Sequence, residues 1–234
     1  MILTWQQSIG INNEHLVEVS NSVGKSFLIN ETVKEPLCNL LEQAKCDDIP
    51  IAIISSHRTF QQQLTIWNDK WQGYRPVYSR HGRPLNVNSM SNMEKYKAIA
   101  LWSALPGLSR HHWGTDLDVF SAAAIKNGYK VELTPDEFSK NGICSEINHW
   151  LNDNLEKHGF FKPYNHYQQG VSEEPWHISH KVTSQQITTE FSFNDCIVHL
   201  KKSDIKANDF IIDMFEHYKT QYFLNICKSP VSRA

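Results

Sequence analysis

Two short segments of the chain carry the residue types of a catalytic metal site. The first is Ser109-Arg-His-His-Trp-Gly-Thr-Asp-Leu-Asp118, and the second is Glu174-Pro-Trp-His177. Together they supply two imidazoles, a carboxylate that can bind a metal ion, and a second carboxylate three residues from a histidine. A catalytic zinc site uses three such protein ligands, an open fourth position and a nearby base. We therefore predict that His111, Asp118 and His177 bind one Zn²⁺ ion per chain, with Glu174 as the base.

The spacing within the first segment indicates how its two ligands are presented. Gly114 lies between His111 and Asp118 and permits a backbone turn that a bulkier residue would resist. This favours one ligand on a loop and the other on the strand that follows. Asp118 lies between Leu117 and Val119, and burying a carboxylate in an apolar strand costs free energy unless a cation compensates its charge.

The second segment needs a turn to present its two groups together. On a straight strand Glu174 and His177 would face opposite sides, because side chains alternate with a period of two. Pro175 favours a turn between them. With that turn, His177 faces the metal while Glu174 faces the reacting water.

A third segment places a cation near the predicted site. Thr59 and Gln62 form a capping box, so a helix is expected to begin just after Arg58. Arg58 is then next to the outward-pointing amides of a helix N-terminus, where it can stabilise an oxyanion. Gln63, one turn further on, can hydrogen-bond the substrate backbone.

The elements around these segments predict an α+β domain with strands at its centre and helices covering them. Strands are predicted near residues 1–30, at Ile49–Ile54 and at Leu117–Phe120, and residues 73–90 are predicted to be a long loop. Helices are predicted from apolar spacing and capping signals at residues 33–44, after Arg58, from Ser91 to before Pro106, at 134–137 and at 147–155, where Gly159 closes the last.

The C-terminal part, residues 185–234, is predicted to add a hairpin and an amphipathic helix to a single domain spanning 1–234. Phe191, Phe193 and Ile197 indicate an edge strand or hairpin. A helix is expected from Ser203, with an apolar stripe at Ile211, Phe215, Tyr218 and Tyr222.

Composition excludes several classes of protein. The net charge is −2 and the sequence pI is about 6.6, so no basic surface for nucleic acid is expected. No apolar run approaches the roughly 20 residues that span a bilayer, and the N-terminus lacks the pattern of a secretory signal. The cysteines are odd in number and form no CxxC pair. These features predict a cytoplasmic protein with free thiols that binds neither membranes nor nucleic acid.

The motifs resemble those of a known family. SxHxxGxxxD followed by ExWH is similar to the zinc peptidases grouped as lysostaphin, D-Ala-D-Ala metallopeptidase and sonic hedgehog types, and most of all to the VanY/VanX D-alanyl-D-alanine carboxypeptidase and dipeptidase branch. The segment from Ser55 to Gln63 resembles that branch's Arg-Ser-x-x-x-Gln stretch, with Thr59 where Ser is commoner. The resemblance runs from about residue 26 to 180.

The resemblance implies a fold and a set of roles. The fold is a small antiparallel sheet with zinc in a cleft that helices flank. His111, Asp118 and His177 are implied as zinc ligands and Glu174 as the catalytic base. Arg58 polarises the scissile carbonyl, whereas Gln63 and Ser109 help to hold the substrate, a peptidoglycan-derived peptide or muropeptide.

The bond that is cut is a separate question. A cytosolic enzyme that trimmed D-Ala-D-Ala from pentapeptide precursors would starve wall synthesis, whereas recycled tetrapeptides must lose a D-residue attached to the L-centre of diaminopimelate. The expected activity is therefore that of an L,D-carboxypeptidase of cell-wall recycling. A carboxypeptidase must also bind the free C-terminal carboxylate of its substrate, which requires a cation. Basic residues of the loop 73–90 could supply it, or they could simply be solvated: Arg75, Arg80, His81 and Arg83.

Other functions remain open at this stage. They are a D,D-carboxypeptidase or dipeptidase, a phage-type endolysin endopeptidase, and a zinc-stabilised binding module without turnover. Glu174 argues against the binding module, because a structural zinc needs no adjacent base. The sequence does not indicate an oligomeric state.

Overall fold

A computed structural model of the protein describes residues 2–20 and 24–228. Met1, residues 21–23 and residues 229–234, which end the predicted C-terminal extension, lie outside the described residues. The strands are β1 Leu16–Ser20, β2 Ser26–Asn30, β3 Ile51–Ser55, β4 Val77–Tyr78, β5 Pro84–Leu85, β6 Asp116–Ser121, β7 Phe160–Phe161 and β8 His177–His180. The helices are α1 Trp5–Ser8, α2 Lys34–Cys46, α3 Phe60–Gln72, α4 Asn92–Ala100, α5 Ala122–Lys126, α6 Ser145–Asn154, α7 Lys181–Glu190, α8 Phe193–Lys201, α9 Asn208–Asp213 and α10 Phe215–Tyr218.

A four-stranded antiparallel sheet in the order β3-β6-β8-β7 forms the centre of the molecule. Two further antiparallel pairs, β1-β2 and β4-β5, lie outside it. Shorter helical turns connect the elements: 3₁₀ turns at Glu31–Val33, Val87–Ser89, Arg110–Trp113, Pro135–Phe138 and Glu156–His158, and a π-helical turn at Lys219–Phe223. A small antiparallel sheet flanked by helices confirms the predicted α+β class.

The alternation of β6 and β8 separates a core face from a polar face. Leu117, Val119 and Ile178 point to one side, where they are buried against α2 and α6. Asp116 and Asp118 alternate with them and therefore point to the other side. The central sheet thus carries carboxylates on the face that its helices leave open.

Capping signals in the sequence located the first residues of helices α3 and α4. Thr59 accepts from the amide of Gln62, and the Gln62 side chain accepts from the amide of Thr59, so α3 begins at Phe60 as predicted. The capping box of Ser91 and Glu94 likewise opens α4. Both helices bury their apolar stripes in one core, which includes Trp67, Trp71, Tyr96 and Ile99.

The prediction of a hairpin near residue 191 was wrong, because helix α7 ends at Glu190 and helix α8 begins at Phe193, with no strand between them. Phe191 and Phe193 resembled strand alternation, but Phe193, Cys196 and Leu200 recur at helical spacing. Ser192 caps α8 by accepting from the amide of Asp195. This region packs into the same core as α3 and α4.

Two further predictions need correction. The predicted loop at 73–90 contains the hairpin β4-β5 and the 3₁₀ turn Val87–Ser89. The C-terminal helix is divided into α9, α10 and the π-helical turn, although its predicted apolar stripe is buried. Across residues 2–20 and 24–228, no helix combines the length and apolar character needed to cross a bilayer.

Candidate metal centre and cleft

The predicted metal ligands lie on a row of residues that crosses the central sheet. Asp118 on β6 is directly opposite Ser55 on β3 and His177, the first residue of β8. His111 comes from the 3₁₀ turn that precedes β6. Gly114 ends that turn with φ of +67°, and a Cβ there would come within 2.6 Å of the Asn30 amide nitrogen. The close turn at Gly114 brings His111 back over the sheet.

The three candidate ligands converge on one point. Their ligand atoms all lie within 4.8 Å of one another, and all three side chains are buried. His111 Nε2 is 3.4 Å from Asp118 Oδ2, and His177 Nδ1 is 3.4 Å from Asp118 Oδ1. Within the described residues, Asp118 Oδ1 is buried and has no hydrogen-bond partner. An orphaned carboxylate oxygen between two imidazoles fits a site for a metal cation.

Hydrogen bonds on the far side of each ring leave the correct nitrogen facing the centre. His111 Nδ1 donates to the Ser56 carbonyl over 2.8 Å, which leaves Nε2 to bind a metal. His177 Nε2 donates to Asp116 Oδ1 over 3.0 Å, which leaves Nδ1. Such partners fix the ring orientation and tautomer of metal-binding histidines.

Burial and neighbouring polar groups shift the pKa of each of the three side chains. Burial lowers the pKa of His111 well below its usual value, so this ring is neutral. Burial alone would also lower the pKa of His177, but hydrogen bonds to Asp116 and Glu174 raise it to about 10. Burial raises the pKa of Asp118 to about 6. A metal ion must therefore displace a proton from His177 at neutral pH.

Asp116 orients the candidate ligand His177 through a hydrogen bond. This residue was not identified from the sequence. It accepts hydrogen bonds from Arg110 Nε over 2.7 Å, Thr115 Oγ1 over 2.6 Å and Ser179 Oγ over 3.0 Å, besides that from His177. Burial opposes its ionisation, yet Arg110 and His177 hold the pKa of Asp116 below its usual value. Its position two residues before Asp118 on a strand was the signal, because such residues share a face.

We expect Asp116→Asn to lower the affinity for the metal about 10- to 100-fold, the usual effect of losing an outer carboxylate partner. The amide removes the charge that holds the His177 proton on Nε2, so the ring is less well oriented. Competition with a chromophoric chelator measures the affinity, and circular dichroism checks the fold. Affinity equal to that of the unaltered protein would show that Asp116 does not orient His177.

Glu174 lies beside the centre, on the turn that the sequence predicts. Its carbonyl accepts from the amide of His177 over 3.0 Å, and β8 begins at His177. Glu174 Oε2 is 3.3 Å from His177 Nδ1, so the carboxylate is next to the nitrogen that faces the metal position. The side chain is nearly buried, which keeps this carboxylate close to the centre.

Arg58 lies on the surface of the cleft, whereas Gln63 is buried behind it. Arg58 lines the cleft, and its guanidinium donates to Gln63 Oε1 over 2.7 Å and to Ser55 Oγ over 3.3 Å. Gln63 is fully buried, and its Nε2 donates to the Ala104 carbonyl over 2.6 Å. This geometry favours a positioning role for Gln63 over the direct substrate contact expected from the sequence. Ser109 lines the cleft next to the metal centre.

The centre opens into one large cleft of about 1980 Å³. The hairpin β4-β5 and the segment 129–146 both contribute to its lining, and Trp102 and Trp176, stacked at 6.4 Å, contribute aromatic surface. Two of the three arginines expected in this region are paired with carboxylates: Arg75 with Asp69 at 2.9 Å, and Arg80 with Glu173 at 3.2 Å. The cleft is large enough for a peptide several residues long.

Comparisons with known proteins relate the chain to one family. The family model VanY, D-alanyl-D-alanine carboxypeptidase, matches residues 26–183. An uncharacterized protein of Haemophilus influenzae is 31% identical over 118 residues, covering 50% of this chain and 90% of that protein.

Two solved structures share the fold. The vancomycin-resistance D,D-pentapeptidase VanY of a VanB-type cassette, in complex with Zn(II), has a TM-score of 0.50 and 18% identity, and the alignment covers 80% of this chain and 92% of that one. The LD-carboxypeptidase LdcB has a TM-score of 0.52 and 20% identity, and the alignment covers 79% and 78%. At such identities the likeness concerns the fold alone.

Proposed function

This chain belongs to the VanY family of D-alanyl-D-alanine carboxypeptidases, and we propose that it is a zinc-dependent carboxypeptidase that removes a C-terminal D-amino acid from peptidoglycan peptides. The observation that carries the proposal is the convergence of His111, Asp118 and His177 beside Glu174 in an open cleft. A metal held only for structure would need neither the adjacent base nor the open access.

Zinc is the metal that the ligand set fits best. Two imidazoles and one carboxylate are a common set for catalytic zinc, and the solved VanY structure contains Zn(II). When bound, zinc would act as a Lewis acid and lower the pKa of a water molecule towards about 7. His111, Asp118 and His177 would hold it, and Asp116 would keep the His177 ring in place.

The remaining residues have roles in moving protons and stabilising charge. Glu174 is placed to take a proton from the attacking water and to pass it to the amine that leaves. Arg58 is placed to donate hydrogen bonds to the scissile carbonyl oxygen as negative charge develops there. Gln63 and Ser55 hold the Arg58 guanidinium in the orientation that this contact requires. Ser109, on the cleft wall, is available to hold the substrate.

Within this activity we propose L,D-carboxypeptidase action on tetrapeptides. In a tetrapeptide the residue before the cleaved bond is diaminopimelate, whose side chain ends in both an amine and a carboxylate, whereas in a pentapeptide it is D-alanine. A wide cleft supports the larger, zwitterionic residue, because charges of both signs line it, among them Lys140, Glu132 and Glu146.

Incubation of the protein with defined tetra- and pentapeptide muropeptides tests this specificity. We expect mass spectrometry to show loss of D-alanine from the tetrapeptide, and no loss after treatment with a chelator. Because a D,D-carboxypeptidase would need only a small site before the cleaved bond, loss from the pentapeptide alone would reject the L,D assignment and keep the zinc carboxypeptidase. An intact tetrapeptide and an intact pentapeptide would reject both.

A further inference from the structure

A second cation besides Arg58 lines the cleft: Lys70, on helix α3. Ile66 and Lys70 line the cleft at helical spacing from Gln63, which lies behind Arg58. Lys70 is seven residues beyond Gln63, so it lies about 10 Å further along the helix axis on the same face. One helix therefore presents Arg58 at its N-terminal end and Lys70 near its C-terminal end, towards a common space.

Lys70 has no anionic partner within 4 Å in the part of the chain that the structure describes. Its Nζ donates to Ser103 Oγ over 2.6 Å, a neutral acceptor. Burial lowers the pKa of Lys70 to about 8, so the amine is still largely protonated at neutral pH. Lys70 is only partly exposed, and partial desolvation of an ammonium group costs free energy unless an anion compensates its charge. An unpaired cation in a cleft wall is a site for an anionic group of a ligand.

Two other cations that line the cleft, Arg75 and Arg80, are less suited to bind an anionic group of a ligand. Arg75 and Arg80 already have carboxylate partners, and their side chains are 49% and 38% exposed. Lys70, in contrast, is close enough to Glu174 and Arg58 for their charges to influence its pKa. It lines the same cleft as Arg58 and Glu174, the groups proposed to act on the cleaved bond.

We propose that the Lys70 ammonium group and the Ser103 hydroxyl bind the C-terminal carboxylate of the D-residue that is released. This assignment rests on the proposed carboxypeptidase function. Because Ser103 Oγ accepts from Lys70, its own proton is available to a carboxylate oxygen. The carboxylate of the last residue is two bonds from the amine that Glu174 would protonate, so the cation that binds this carboxylate must share the cleft with Glu174, as Lys70 does.

A binding experiment without turnover tests the assignment. In a zinc-loaded Glu174→Gln protein, the tetrapeptide with a free carboxylate is expected to bind about 10- to 100-fold more tightly than its C-terminal amide, the usual range for a hydrogen bond to a charged group. Adding Lys70→Met is expected to remove that preference while the affinity for the amide stays the same. Lys70→Arg, which keeps the charge, is expected to retain much of it.

Lys130 provides the matched control, because it lines the same cleft but is exposed. Lys130→Met in the Glu174→Gln protein is expected to leave the preference for the free carboxylate unchanged. If that preference persists with Lys70→Met, the assignment of Lys70 is overturned while the carboxypeptidase proposal stands. If the Glu174→Gln protein binds neither peptide, the proposed function itself is overturned.

Discussion

Replacement of Glu174 by alanine is expected to lower turnover of a D-alanine-terminated peptide by about 10²- to 10⁴-fold, the usual contribution of positioned acid–base catalysis. The zinc should remain bound, because Glu174 is adjacent to the centre but is not one of its three converging ligands. Turnover by mass spectrometry and zinc content by atomic emission, measured on the same preparation, test both halves of this expectation.

Glu173 is the matched control for this prediction. It is the neighbouring carboxylate, but it pairs with Arg80 and accepts from the Tyr167 amide rather than facing His177. Glu173→Ala is therefore expected to change turnover far less than Glu174→Ala does. Equal losses in the two variants would indicate a general effect of negative charge at this turn and would argue against Glu174 as the base.

Removal of Asp118 is expected to abolish both turnover and the stabilisation of the fold by zinc. At free zinc 100-fold above its dissociation constant, binding to the folded state alone adds about 2.7 kcal/mol to the free energy of unfolding. For a domain of this size that corresponds to a rise in Tm of about 5–10 °C. Asp118→Ala should show almost none of this rise, because Asp118 lies between the two imidazoles.

Thermal unfolding with zinc and with a chelator measures this effect. Asp153→Ala is a suitable control, since it removes an exposed carboxylate on α6, away from the cleft. The control should keep the full rise in Tm with zinc. A zinc-dependent rise in Asp118→Ala as large as in the unaltered protein would place the metal elsewhere.

The sequence predicted the parts of this site whose local patterns match their final structure. Asp118 between two apolar residues indicated a strand with one polar face, and the pairing of β6 with β8 places it opposite His177. The capping box at Thr59 indicated where α3 begins and hence where Arg58 lies. In each case a few neighbouring residues determine the backbone conformation, so short-range patterns were sufficient.

The parts that sequence analysis missed depend on contacts between distant segments. Asp116 matters because Arg110, Ser179 and His177 surround it, and two of these residues are more than sixty positions away. Lys70 becomes notable only when Ser103 is seen to be its neutral partner. A local pattern cannot show which charged residues lack partners in the folded chain.

One zinc ion is expected to be bound by His111, Asp118 and His177. Diffraction from zinc-loaded crystals, collected on either side of the zinc absorption edge, tests it most directly. We expect a single anomalous peak about 2.0–2.2 Å from His111 Nε2, His177 Nδ1 and an Asp118 carboxylate oxygen. A peak elsewhere, or no peak between these three side chains, would contradict the account.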